Sequence, residues 1–272
     1  MPFVPPNKKY ANKARRTVRV RSGPNDTMVN AKAVRKIATS VMRKAAEDKF
    51  VGTTSMTSHN STITSASECY PMVPAITQGT GDYQRIGDKI RGKYLYIKGY
   101  VQYNDTYLNT VGVQGYIPPT TVRVMCLSQK NVKVASAVSS SIDVAHLLKD
   151  NIGTGTARSF GGQPFDCVAP INKDLFTVHM DKKIKFNWVN HYRASGSIPT
   201  EALASGNDRT KYFTCRIKCP ATLTFDDGNL DFPNSFAPFV CLGAVSDDGS
   251  GPFIAGTPYR LAIQSTLYFE DS

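Results

Sequence analysis

Histidine is scarce in this chain and is never placed at catalytic spacing. The four in 272 residues, His59, His146, His179 and His191, stand apart. There is no His-x-His pair and no HExxH, which removes the rolling-circle nuclease and zinc protease readings. A phosphate loop is missing as well. The nearest approach, Gly81-Asp82-Tyr83-Gln84-Arg85-Ile86-Gly87-Asp88-Lys89, has five residues between its outer glycines where that loop has four. It also sets an acid before its lysine, no Ser or Thr after it, and a strand pattern rather than a helix downstream. No run of about eighteen apolar residues exists, which excludes a spanning helix. The opening Met1–Pro6 lacks the apolar stretch of a secretory signal, so the six cysteines are expected to be reduced. Cys215 and Cys219 have no second pair or nearby histidine for zinc and read as core thiols. Nothing joins a nucleophile to its base, so the expectation is that the chain is not an enzyme.

Acids are missing from one region in particular. Before Asp26 there are seven bases and no acid: Lys8, Lys9, Lys13, Arg15, Arg16, Arg19 and Arg21. The first 49 residues hold thirteen bases against three acids, a net of +10 out of +12 for the whole chain. The other 223 residues hold twenty bases against eighteen acids, close to neutral. An arm so charged repels itself and cannot build a core. It needs a polyanion, and the common polyanion is nucleic acid, bound through its phosphates. The same basic patch also suits nuclear import.

Residues 1–29 therefore read as a disordered arm, and 30–49 as a basic amphipathic helix, with the periodic pattern over 30–48. Asn30 is the expected N-cap. Val34, Ile37, Ala38, Val41 and Ala45 recur at helical spacing, and Lys32, Arg35, Lys36, Arg43 and Lys44 fill much of the rest. This helix is expected to dock its thin apolar stripe while its basic face meets phosphate.

From residue 50 to 272 the texture is that of strands. Residues 51–67 are β-branched and hydroxylic, suited to strand and turn. Eight strands are predicted: near Thr62–Met72, Tyr94–Tyr103, Thr121–Leu127, Leu175–Met180, Lys183–Val189, Tyr212–Phe225, Phe239–Val245 and Arg260–Phe269. Several alternate cleanly. Leu95, Ile97 and Val101 face one way and Lys98 and Gln102 the other; Phe213, Cys215, Ile217 and Cys219 oppose Arg216 and Lys218. Leu261, Ile263, Leu267 and Phe269 point inward, with Gln264, Thr266 and Tyr268 outward. Ile184, Phe186 and Trp188 alternate likewise. A second helix is predicted over Ile142–Lys149, capped by Ser141. Strands without long intervening helices argue an all-β antiparallel sandwich or barrel, and the long connections 128–173 and 190–210 at its ends point to a jelly roll whose loops make outside contacts. No internal repeat is visible. The acid pairs Asp226-Asp227 and Asp247-Asp248 read as solvated turns, with calcium at subunit contacts as the second reading.

Within Gly79–Lys89 the glycines Gly79, Gly81 and Gly87 permit positive φ. Asp82 and Asp88 can accept local amides, and Arg85 can pair with one of them, so the segment reads as a structural turn. The run from Ile76 to Ile90, with its "QG…D…R.GD.I" pattern ahead of the Tyr94 strand, resembles the capsid proteins of small circular single-stranded DNA viruses and of satellite tobacco necrosis virus-like particles. The basic arm, the basic helix, the Phe176–Asp181 run before a lysine pair and the C-terminal aromatic strand agree in order, although the specific motif covers about fifteen residues. The resemblance implies one eight-stranded jelly roll assembling as a homo-oligomer of sixty copies (a T=1 shell) around a genome, DNA in preference to RNA, with no membrane. It implies residence in the virion and passage through the host nucleus. Sixty arms would carry on the order of 600 positive charges, matching about as many phosphates. The competing reading is a non-capsid single-strand binding or movement protein with a basic tail.

Overall fold

A computed structural model describes residues 31–45, 47–103, 119–149, 157–187, 210–226, 231–247 and 258–271. Lys8 to Arg21, Asn30, Trp188 and nearly all of the 190–210 connection fall outside these. The chain divides into two compact units, Asp48–Asp271 and the segment ending at Glu47.

The described part of the first unit is helix α1, Ala31–Ala45. Four alanines and five bases with long unbranched side chains favour helix over strand here. It is shorter than the periodicity predicts, because Glu47 already belongs to a strand.

The body holds eleven strands among the described residues, rather than eight. In chain order they are β1 Glu47–His59, β2 Tyr70–Pro71, β3 Lys89–Tyr103, β4 Thr120–Gln129, β5 Leu148–Lys149 and β6 Ala157–Arg158. There follow β7 Phe176–Phe186, β8 Thr210–Lys218, β9 Leu223–Thr224, β10 Pro238–Ser246 and β11 Tyr259–Asp271. One sheet runs β1-β11-β3-β8, with β9 appended to β3; a second runs β2-β10-β4-β7; β5 and β6 form a small third. In the two large sheets the partners are nested. The first strand neighbours the last, β2 pairs β10, β3 pairs β8 and β4 pairs β7.

Three expected elements differ. The run at 62–72 is strand only at Tyr70–Pro71, because the Glu68 carboxylate accepts the amides of Thr64 and Ser65 at 2.6 and 3.0 Å and winds Ala66–Glu68 into a 3-10 turn. The two runs around Asp181-Lys182 are one strand, β7. Asp181 does not turn the chain; it takes a two-pronged ion pair from Arg123 of β4 at 2.8 and 2.7 Å. The helix expected over Ile142–Lys149 is absent. A single α-turn, α2 (Val138–Ser141), precedes a 3-10 turn at Val144–His146 and then β5. Leu147 and Leu148 are both fully buried at the junction of the 3-10 turn and β5.

The main core lies between the two large sheets. Leu95, Ile97 and Val101 of β3 and Leu261 of β11 meet Val122 and Val124 of β4 and Leu242 of β10. Each such aliphatic side chain contributes about 1.5–3 kcal/mol when fully buried. Gly99 lets this core close: a Cβ there would sit 2.5 Å from the Phe213 ring and 2.7 Å from the Ala262 carbonyl.

A second core covers the far side of the β2-β10-β4-β7 sheet. Met125, Leu127, Phe239 and Cys241 point away from the first core and are buried by Val138, Leu147, Leu148 and Phe160. The 128–173 connection is therefore, where described, an inward-packed layer and not a set of outward loops. All nine residues of β10 are buried, which explains an apolar run without alternation. The β1-β11-β3-β8 sheet keeps its alternation, because among the described residues only one of its faces is packed into a core.

Candidate nucleic-acid interface

On α1, Lys32, Arg35 and Lys36 are exposed, as a phosphate-facing role needs. So are Val34, Ile37 and Val41, at 47%, 65% and 61% exposure, so the expected burial of the apolar stripe is not seen at these three positions. The side chains of Arg43 and Lys44 lie outside the described set, with the seven bases of the arm.

One arm base has a different place. Lys49 is 4% exposed on β1. Its ammonium donates to the Gln84 carbonyl at 3.1 Å and the Gly81 carbonyl at 3.5 Å, and it faces the Asp271 carboxylate of β11 at 3.4 Å. It belongs to the body's interior and does not count toward phosphate binding. Placing the boundary ahead of β1 leaves twelve bases against one acid, net +11, in residues 1–46.

The turn at Gly79–Asp88 is held from three sides. Arg85, 1% exposed, donates to the Gly87 carbonyl at 2.7 Å and to Asp88 at 3.0 Å, with its guanidinium 4.3 Å from the centre of the Phe225 ring. The predicted Arg85–Asp pairing is thus present, and Asp88 is the partner. Asp271 accepts the Ile86 amide at 2.8 Å, and Lys49 clamps the carbonyl side. The glycines work otherwise than expected: none of Gly79, Gly81 and Gly87 has positive φ. A Cβ at Gly79 would fall 2.0 Å from the Gln84 amide oxygen and would displace that side chain. That oxygen, and not Asp82, accepts the Gly81 amide, at 3.0 Å; nothing in the structure explains a glycine at 87. The side chains that grip the loop hold its backbone, each other or Asp88 just ahead of β3.

The remaining sequence candidates resolve simply. Burial pushes the Cys219 thiol up to about 12 and the Cys167 thiol up to about 11, so both stay protonated near neutrality. His179 bonds Ser128 Oγ at 2.8 Å, and burial lowers its pKa. Asp247 accepts from Thr121 Oγ1 at 2.7 Å and Asp226 is exposed; their neighbours Asp227 and Asp248 lie outside the described residues.

The sequence reading missed a surface. The bare face of the β1-β11-β3-β8 sheet carries paired rings and cations. The register sets Tyr94 beside Lys218 and Tyr268, Tyr96 beside Arg216 and Thr266, and Tyr100 beside Tyr212 and Ala262. Tyr94 and Tyr268 stack with centres 4.6 Å apart, and the Arg216 guanidinium lies 4.0 Å over Tyr94. The Lys98 ammonium lies 5.1 Å over Tyr96. Each residue was readable as outward-facing; which ones meet was not, because that depends on register between distant strands. The signal that could have found them is the Tyr-x-Tyr-x-Lys-x-Tyr alternation of Tyr94, Tyr96, Lys98 and Tyr100.

A scan of known protein families finds no match to this chain, and a search of curated proteins finds none.

Proposed function

We propose that this protein is a viral coat protein, a jelly roll that assembles with copies of itself into a closed icosahedral shell and packages a single-stranded genome through its basic N-terminal segment. The observation that carries the reading is the nested pairing of the two large sheets. A long antiparallel ribbon, first strand with last and second with next to last, places alternate pairs in opposite sheets when it rolls up. That gives the orders β1-β11-β3-β8 and β2-β10-β4-β7, which is what supports a jelly roll over other sandwiches. On this reading eight strands form the roll, while β5, β6 and β9 are two-residue additions.

Charge supports the packaging half. Residues 1–46 carry +11 and the rest of the chain is close to neutral, so one segment can neutralise phosphate while the body packs against its copies. Phosphate contact without base readout suits a protein that must accept any sequence. The seated turn at 79–88 is a rigid structural element in this reading.

Negative-stain electron microscopy of the purified full chain tests it. Uniform closed particles are expected at moderate salt. Monodisperse monomers under all salt conditions overturn the shell, and if they still bind single strands they favour the non-capsid single-strand binding reading.

A further inference from the structure

We infer that the bare face of the β1-β11-β3-β8 sheet is a second contact for single-stranded nucleic acid, one that stacks unpaired bases on tyrosines of β3 and β8. The ligand class rests on the proposed function; the shell does not enter the argument.

The face is laid out by register. Five outward positions on β3, from Tyr94 to Gln102, are each flanked by one residue of β11 and one of β8. Their inward neighbours Leu95, Ile97, Val101, Phe213, Ile217 and Leu261 are buried in the main core, so period-two alternation fixes these fifteen positions outward. Five of them are tyrosines and four are Lys or Arg, and none is acidic. In a body whose overall charge is close to neutral, that is a local excess of four.

Two acids among the described residues at one end of the face are already engaged. Asp48 and Glu270, at one end of the face, hold Lys93 at 2.6 and 3.2 Å, and Glu270 also holds Arg91 at 2.8 Å. At the other end Lys182 of β7 donates to the Tyr212 carbonyl at 3.1 Å, which brings a further cation to the edge. The fifteen described positions of the face thus carry four bases and no acid.

The rings decide what kind of polyanion fits. Tyr212 is 71% exposed and meets Tyr100 edge-on at 5.8 Å. Tyr96 and Tyr100 are half-buried, in contact with Lys98 and Tyr212, and so lose little freedom on meeting a base. Two-residue repeats along β3 are about 6.7 Å apart, which makes the face about 27 Å long and about 10 Å wide over three strands. Rings at that spacing can each take one splayed base, while Lys98, Arg216 and Lys218 reach the phosphates between them. A duplex offers no free base faces and would use the cations alone.

Photocrosslinking of the full chain tests this. An iodouracil-substituted single-stranded oligonucleotide, as DNA and as RNA in separate arms, is irradiated with the protein and the adducts are mapped by mass spectrometry. Adducts at Tyr96, Tyr100 or Tyr212 are expected, with Tyr96→Phe keeping its adduct and Tyr96→Ala losing it. The double variant Lys98→Gln/Arg216→Gln should lower the salt slope of oligonucleotide binding by about 1.4, at about 0.7 per phosphate contact. A thermal melt confirms that each variant is folded. Adducts confined to residues 1–46, or a salt slope unchanged in the folded double variant, overturn the inference. The two proposals fail separately: sheet adducts from a protein that forms no shells keep this one and sink the coat, and shells without sheet adducts do the reverse.

Discussion

Replacing Asp271 by Asn removes one charge from the interior and almost no volume. Lys49 and Asp271 are 4% and 3% exposed, so the substitution takes this carboxylate away from an ammonium that is shielded from water. An exposed ion pair of this kind would contribute about 0–1 kcal/mol. Breaking a buried pair costs about 3–5 kcal/mol, most of it the penalty on the ion left behind. The Gln84 and Gly81 carbonyls still face Lys49 and soften the loss, so about 3 kcal/mol is expected from the low end of that range. In a body of this size that lowers Tm by about 6–12 °C. Urea unfolding followed by far-ultraviolet circular dichroism gives the free energy, and calorimetry gives Tm. The double variant Lys49→Met/Asp271→Leu should recover part of the loss, because it removes the stranded charge, though the Ile86 amide and the Gln84 and Gly81 carbonyls lose these partners. The reasoning fails if Asp271→Asn stays within about 0.5 kcal/mol of the parent, or if the double variant costs the sum of the single ones.

Two further outcomes follow from the packing. Gly99→Ala forces a Cβ to within 2.7 Å of the Ala262 backbone carbonyl, where nothing flexible can yield, and should cost about 1–3 kcal/mol in the same urea assay; an unchanged midpoint would show that β3 and β11 separate more easily than the register implies. His59 is buried between Thr57, which bonds its Nε2 at 3.0 Å, and the Tyr70 ring at 4.6 Å, and burial holds its pKa down to about 4. The unfolded chain takes up that proton near 6.5, so this contribution is complete above pH 6.5 and is lost as pH falls toward 4, about 3 kcal/mol in all. Unfolding free energies of the parent and His59→Gln at about pH 7 and about pH 4.5 check it, since the variant should lack this part of the pH dependence.

How much could be read from the residues depended on how far apart the deciding partners lie. The inward sets on β3, β8 and β11 were legible because alternation is a property of the strand itself. The Arg85–Asp88 pair was legible because its partners are three residues apart. β1 was not resolved as one long strand, since it lies at the sheet's edge and most of its thirteen residues are exposed. Asp181-Lys182 looked like a break between two strands because the arginine that takes Asp181 lies 58 residues away. Lys49 was counted with the arm for the same reason, its carboxylate being 222 residues distant.

That last separation has a consequence for biosynthesis. A ribosome adding about 5–20 residues per second needs roughly 11–44 s to go from Lys49 to Asp271. Until then β1 has no neighbour, one side of β3 has unbonded amides, and the 79–88 loop lacks the carboxylate that seats it. The nascent chain thus spends tens of seconds with sticky, ladder-ready edges, and crowded polysomes making this protein would need chaperone cover or slow initiation to keep those edges from finding one another.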